Sequence, residues 1–139
     1  MNRFVLDASV ALAWFVDDPV SAYATRIKKA LLHGSSAVVP ALWHLEMANG
    51  FAVAERRGIL SAMDATQGVY DIERLLAQAI ESTTDFVSVR QALAAARTFQ
   101  LSAYDAVYLD VARREGLPLA TLDRRLMAAA GHAGVEVLP

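Results

Sequence analysis

Arg3-Phe4-Val5-Leu6-Asp7-Ala8-Ser9 decides the fold. Phe4, Val5 and Leu6 form a short, continuous apolar run, the pattern of a strand buried on both faces of a parallel sheet. The run ends on a carboxylate, and from Ala8 to Val16 apolar residues continue at helical spacing. Asp7 therefore has two readings. It stands at the carboxyl end of a strand, where open α/β sheets bind their ligands. Asp is also a favoured helix N-cap. The choice depends on which partners the rest of the chain brings to it.

Strands and helices go on alternating after this opening. Asp17-Asp18-Pro19 closes the first helix and carries the start signal of a second, which runs through Tyr23, Ile27 and Leu31 to His33-Gly34. Ala37-Val38-Val39 reads as a strand closed by Pro40, and a long helix follows from Ala41 to Arg57. That helix is apolar over much of its circumference, so Glu46 and Asn49, three apart on one face, stand out. A carboxylate there is costly unless it is paired, bound to a cation or on a solvated edge. Ser61-Ala62-Met63-Asp64 resembles a capping box, and Val69, Ile72, Leu76, Ala79 and Ile80 make an inward stripe behind it.

Glu81-Ser82-Thr83-Thr84 reads as either a short middle strand or a loop. Asp85 starts an amphipathic helix with Val89, Leu93 and Ala96 on one face. Ser102 caps a helix from Tyr104 to Glu115, whose first turn holds Asp105, an acid the helix dipole alone would favour. Leu119 to Leu122 is predicted to be a strand, with Asp123 following it as Asp7 follows the first. A short helix from Arg124 to Ala130 and a strand at Val135-Glu136-Val137 close the chain. The pattern predicts one α/β domain over residues 1–139, a short and mostly parallel central sheet flanked by helices.

Composition narrows the function. A chain of 139 residues is long enough to bury about 70% of its unfolded surface in one core. Its 55% hydrophobic content suits a covered core with an apolar subunit interface. A net charge of −2 gives no global field to attract nucleic acid, so any polyanion must be held by a local patch or through metal ions. The absence of cysteine excludes disulfides, iron–sulfur clusters and thiol catalysis, and it fits a reducing compartment. No apolar segment is long enough to cross a bilayer, and Asp7 interrupts the only run that a signal peptide could use. The expected location is cytoplasmic.

Four acids then converge. Asp7 and Asp123 end strands, and Asp105 starts the helix after a connection to the same rim of the sheet. Glu46 reaches that rim only if its helix leans across it. A pair of carboxylates about 4 Å apart repel by about 4 kcal/mol at an effective dielectric of about 20, so such a cluster needs protonation or a divalent cation. Oxygen ligands without Cys, and without His at ligand spacing, favour Mg²⁺ or Mn²⁺ over Zn²⁺. Hard cations among acids mostly serve phosphoryl chemistry.

The order Asp7-Ala8-Ser9, Glu46-x-x-Asn49, Tyr104-Asp105-Ala106-x-Tyr108 and Thr121-x-Asp123-x-x-Leu126 resembles the PIN-domain family. Within it, the likeness is to the VapC-type ribonuclease toxins of toxin–antitoxin pairs, over essentially the whole chain. The resemblance implies that Asp7, Glu46, Asp105 and Asp123 are catalytic, metal-binding acids. It gives Ser9, Asn49 and Thr121 as supporting polar residues. It further implies endonucleolytic cleavage of single-stranded RNA, a homodimer, and an antitoxin whose C-terminal segment covers the active-site groove.

Rival chemistries fit less well. A response-regulator phosphoacceptor domain needs a lysine late in the chain, and none follows Lys29. A haloacid-dehalogenase-like phosphatase wants Asp-x-Asp after the first strand, where Ser9 stands. The non-enzymatic alternative is a binding or assembly module whose acids are caps and surface charges. Among other residues, Arg124 and Arg125 directly follow Asp123 and are the candidate contacts to RNA phosphate. Asp110 is read as a surface acid and His44 as a surface or interface residue; His33 and His132 sit beside glycines at element ends, and none of the three histidines is given a catalytic role. Trp14, Phe15 and Trp43 are expected in core or dimer packing rather than in base stacking.

Overall fold

The computed structural model describes residues 2–139. Four parallel strands form its sheet: β1 (Arg3–Leu6), β2 (Ser36–Val39), β3 (Ile80–Ser82) and β4 (Leu119–Ala120), in the order β3-β2-β1-β4. Phe4, Val5, Leu6, Val39 and Leu119 are fully buried, as a parallel sheet covered on both faces requires. Helices α1 (Ala8–Val16) and α2 (Ala22–Leu32) connect β1 to β2. Helices α3 (Leu42–Arg56) and α4 (Ala62–Gln78) connect β2 to β3. The chain then returns past both strands through α5 (Val89–Phe99) and α6 (Ala103–Glu115), and β4 pairs on the far side of β1 before α7 (Arg124–His132).

That reversal positions the site. The sheet grows from β1 through β2 to β3, then restarts at β4, so the switch point lies between β1 and β4. In open α/β sheets the crevice outside the carboxyl ends of the strands at the switch point is where ligands bind. The backbone joins the two strands there, with the Asp7 amide donating to the Ala120 carbonyl at 3.0 Å.

Several elements differ from what the sequence alone predicts. Asp17 ends α1 as expected, but α2 opens later, at the N-cap Ser21, which accepts from the Ala24 amide at 3.1 Å. The expected inward stripe of α4 is shifted: Ala65, Gly68, Ile72 and Leu75 are buried, while Val69 is exposed. Of the two readings of Glu81 to Thr84 the strand holds in part: β3 starts at Ile80, ends at Ser82 before Thr83 and Thr84, and lies at the sheet edge. Helix α5 begins at a complete Ser88–Gln91 capping box instead of at Asp85. It packs on α6 and buries no residue fully, so Val89 and Leu93 of its expected inner face stay exposed. The closing strand reduces to a single parallel bridge between Leu119 and Val137. Elsewhere Trp43 is fully buried and Trp14 donates its indole N–H to the Ala24 carbonyl at 2.8 Å, so both are committed to the core.

Glycine sets one helix contact. A Cβ on Gly68 of α4 would fall 2.8 Å from Cε1 of the Phe51 ring of α3, and Phe51 is itself buried. Overpacking costs about 1–3 kcal/mol, against about 1 kcal/mol that alanine gains in a helix. Gly68→Ala is therefore expected to destabilise by about 1 kcal/mol, read as a thermal midpoint lowered by a few degrees. An unchanged or higher midpoint would show that the ring moves aside freely.

Candidate active site

The switch point carries Asp7, buried to 5% exposure. Although it occupies the N-cap position of α1, its side chain makes no capping bond. The carboxylate is held from the other direction. Ser9 donates to Oδ2 at 2.6 Å and Thr121 donates to the same oxygen at 2.7 Å. Thr121 follows β4, Ser9 lies in the first turn of α1, and their hydroxyl oxygens are 3.4 Å apart. The network continues into the backbone: Leu122 N–H donates to Ser9 Oγ at 3.1 Å, and Asp123 N–H to Thr121 Oγ1 at 3.0 Å. Two hydroxyls thus fix one oxygen of Asp7 and lock the β4–α7 connection against β1.

Asp123 is a true N-cap. Its Oδ1 accepts from the amides of Arg125 at 2.8 Å and Leu126 at 3.1 Å. The capping reading offered for acids at strand ends is right for this one and wrong for Asp7. Since a lost cap costs about 1 kcal/mol, Asp123→Ala is expected to lower the thermal midpoint. Asp123→Asn, which keeps an acceptor, should leave it nearly unchanged. Equal melting of the two variants would show that the cap contributes nothing.

Glu46 comes from α3 and Asp105 from the first turn of α6, whose N-cap Ser102 accepts the Asp105 amide at 3.1 Å. Glu46 is half-buried, and Tyr108, fully buried on α6, donates its hydroxyl to Glu46 Oε1 at 2.5 Å. That bond joins α3 to α6 and answers how Glu46 reaches the rim. Burial raises the Tyr108 pKa far above its ordinary value, and the hydrogen bond to Glu46 adds to this, so the phenol stays a donor.

The acids act on one another. Burial holds the Asp7 carboxyl above its ordinary value, opposed by the Ser9 and Thr121 hydrogen bonds and reinforced by the charges of Asp105 and Asp123. Glu46 is raised by burial, lowered by Tyr108, then raised by Asp7 and Asp105. Asp105 is raised by burial and by Asp123, and lowered by its hydrogen bond to Ser102 and by the Arg125 charge. Neither side-chain ion pair among the described residues, Arg3–Glu81 or Arg114–Asp85, involves these four. No three Asp, Glu, His or Cys side chains among the described residues form a ready-made ion cage. The donor set nonetheless suits a hard divalent cation: carboxylate oxygens only, one of them deeply buried, and no lysine beside them.

The remaining candidates are less tightly placed. Asn49 is exposed on α3, and Arg124 and Arg125 are exposed at the start of α7. Asp110 is exposed, and His44 lies on the surface with Nε2 2.6 Å from Ser82 Oγ. Tyr108 is the residue to which sequence reading gave no role. Its signals are its place in the Tyr104-Asp105-Ala106-x-Tyr108 motif and its spacing of three residues from Asp105, on the same side of a helix.

Comparison with known proteins places this arrangement. Among solved structures, PAE2754 from Pyrobaculum aerophilum superposes with a TM-score of 0.69 at 24% identity, covering 92% of this chain and 86% of that one. FitAcB from Neisseria gonorrhoeae gives 0.66 at 19% identity, over 98% of this chain and 96% of the other. A domain of a functionally unknown protein from Methanocaldococcus jannaschii gives 0.59 at 15% identity, over 99% and 90%. At these identities the likeness is one of fold. No curated protein matches the sequence. The sequence model of the PIN domain, however, matches residues 4–132, from β1 to the end of α7. This chain belongs to the PIN-domain family.

Proposed function

We propose that the protein is a Mg²⁺- or Mn²⁺-dependent endoribonuclease of the VapC type, the toxin of a toxin–antitoxin pair. PIN domains are generally nucleases. The observation that carries the proposal is Asp7. It is a buried carboxylate that caps nothing, is fixed by two hydroxyls at the switch point, and is repelled by Asp105 and Asp123. A module whose acids are only caps accounts for Asp123 and leaves this arrangement without a purpose.

Asp7, Glu46, Asp105 and Asp123 would hold the ion. When bound, it supplies the charge that activates water and stabilises the leaving oxygen of a phosphodiester. The chain's own groups prepare that site. Ser9 and Thr121 engage Asp7 through Oδ2 and leave Oδ1 as the ligand atom. The cap bonds of Asp123 use Oδ1 and leave Oδ2. Asn49 lies one turn beyond Glu46 and would bond a ligand or water, while Arg124 and Arg125 would bind RNA phosphate beside the acids. Phe86, Val87, Val89 and Leu93, exposed around the start of α5, offer an apolar surface for the second subunit of a homodimer. No helix among the described residues is long and apolar enough to cross a membrane.

Calorimetry of Mn²⁺ into metal-stripped protein tests the site, beside Asp105→Asn. Saturable binding that weakens in the variant, by about tenfold or more per ligand lost, is the expected result. A folded wild-type protein that takes up no Mn²⁺, with or without single-stranded RNA, would overturn it.

A further inference from the structure

We propose that Tyr108 is a positioning residue for Glu46: its buried hydroxyl holds one carboxylate oxygen, so that the other is fixed as a ligand atom for the divalent ion. The inference rests on the metal-site reading above. Three of the four acids have one oxygen engaged by the protein. For Asp7 the donors are two hydroxyls, and for Asp123 two backbone amides. Both sets lie in the segments that directly follow β1 and β4, the first turns of α1 and α7 included. Glu46 differs, since it projects from α3 on a long side chain with several rotatable bonds and is only half-buried. Its donor comes from another element, 62 residues further along the chain, at 2.5 Å.

The geometry makes the bond mutual. Tyr108 has no exposed surface and sits in the buried run Ala106 to Leu109 of α6. A buried hydroxyl is costly without a partner, and Glu46 is the partner. Phenylalanine would fill the same space, so packing alone does not call for the oxygen. Asp105 lies one turn earlier on α6. A single helix therefore supplies one acid directly and clamps a second, and the spacing between them is set by the helix rather than by loops. Supporting groups of this kind orient metal ligands, and their loss costs about 10–100-fold in affinity.

The test uses the full-length chain, Mn²⁺ alone as the probe, and Tyr108→Phe beside Tyr104→Phe, an exposed tyrosine on the same helix. The expected result is a Kd for Mn²⁺ raised about 10–100-fold in Tyr108→Phe, with Tyr104→Phe equal to the wild type and all three proteins folded. Wild-type binding that Tyr108→Phe retains unchanged would overturn the inference and leave the metal site standing. Absence of Mn²⁺ binding in the wild type would remove the metal site and the positioning role together. A second measurement covers a Tyr108→Phe that does not fold. A slowly exchanging Tyr108 hydroxyl proton should be visible by NMR in the metal-free wild type, vanish in Glu46→Gln or shift strongly, and persist at saturating Mg²⁺. Its disappearance on adding Mg²⁺ would mean that the phenol releases Glu46 when the ion binds, and the positioning role would fall.

Discussion

In metal-free buffer at pH 7, Asp7→Asn is expected to melt at a higher temperature than the wild-type protein and, on the nuclease reading proposed above, to cleave RNA about 10³-fold more slowly in Mg²⁺. The two effects have one cause. Asp7 is almost fully buried, and burial is the largest influence raising its pKa, ahead of the repulsion from Asp105 and Asp123. With its pKa held above the ordinary value, deprotonation of Asp7 costs the folded state free energy that the unfolded chain does not spend. The amide of asparagine removes the charge and keeps an oxygen to accept from Ser9 and Thr121. Relief of such built-in strain at functional sites contributes about 0.5–2 kcal/mol, a rise of a few degrees for a chain of this size. The loss of rate follows because a bound cation stabilises the transition state by several kcal/mol, and about 4 kcal/mol corresponds to about 10³-fold. Differential scanning calorimetry and a single-turnover cleavage assay read both. A lower midpoint in metal-free buffer would mean that the Asp7 charge anchors the two hydroxyls more than it repels its neighbours, and that its part is structural.

Much of this was legible in the sequence, for reasons tied to particular residues. Phe4 to Leu6 followed at once by Ala8 to Val16 fixes a buried strand and its helix, because a change of hydrophobic period at a single carboxylate leaves little other choice. The convergence of Asp7 and Asp123 followed from parallel strands sharing one rim. Whether each was a cap or a site acid did not, since both occupy N-cap positions and only side-chain direction separates them. Glu46 was identified by its apolar surroundings, yet its reach depends on the packing of α3 against a residue 62 positions away. No local pattern encodes that. The inner face assigned to α5 failed for a related reason. Val89 and Leu93 have helical periodicity, but periodicity shows which residues share a face and not whether anything covers that face. At α2 the Asp-Pro signal competed with Ser21, and the hydroxyl made the cap.

The sharpest test of a shared site is the sign of the pH dependence of stability, which a bound ion should reverse. Asp7, Glu46 and Asp105 all have folded-state pKa values above their ordinary ones. The native protein therefore holds protons that the unfolded chain has released, and stability falls as pH rises from about 4 through the raised values. In chelator, these groups accordingly make the protein less stable at pH 7 than they do near pH 4. With Mn²⁺ the balance inverts. The ion binds only deprotonated carboxylates, so the loaded native state carries fewer protons than the unfolded chain and gains stability as pH rises. At 100 times the Kd the ion adds about 2.7 kcal/mol, a rise in midpoint on the order of 10 °C at pH 7, which shrinks toward zero near pH 4. Other carboxylates titrate alike with and without the ion, so the difference between the two curves belongs to the acids that bind it. Asp105→Asn should narrow that difference at every pH. Curves that stay parallel, with Mn²⁺ adding nothing at pH 7, would mean that the four acids repel one another without sharing an ion, and the repulsion would need a different counter-charge.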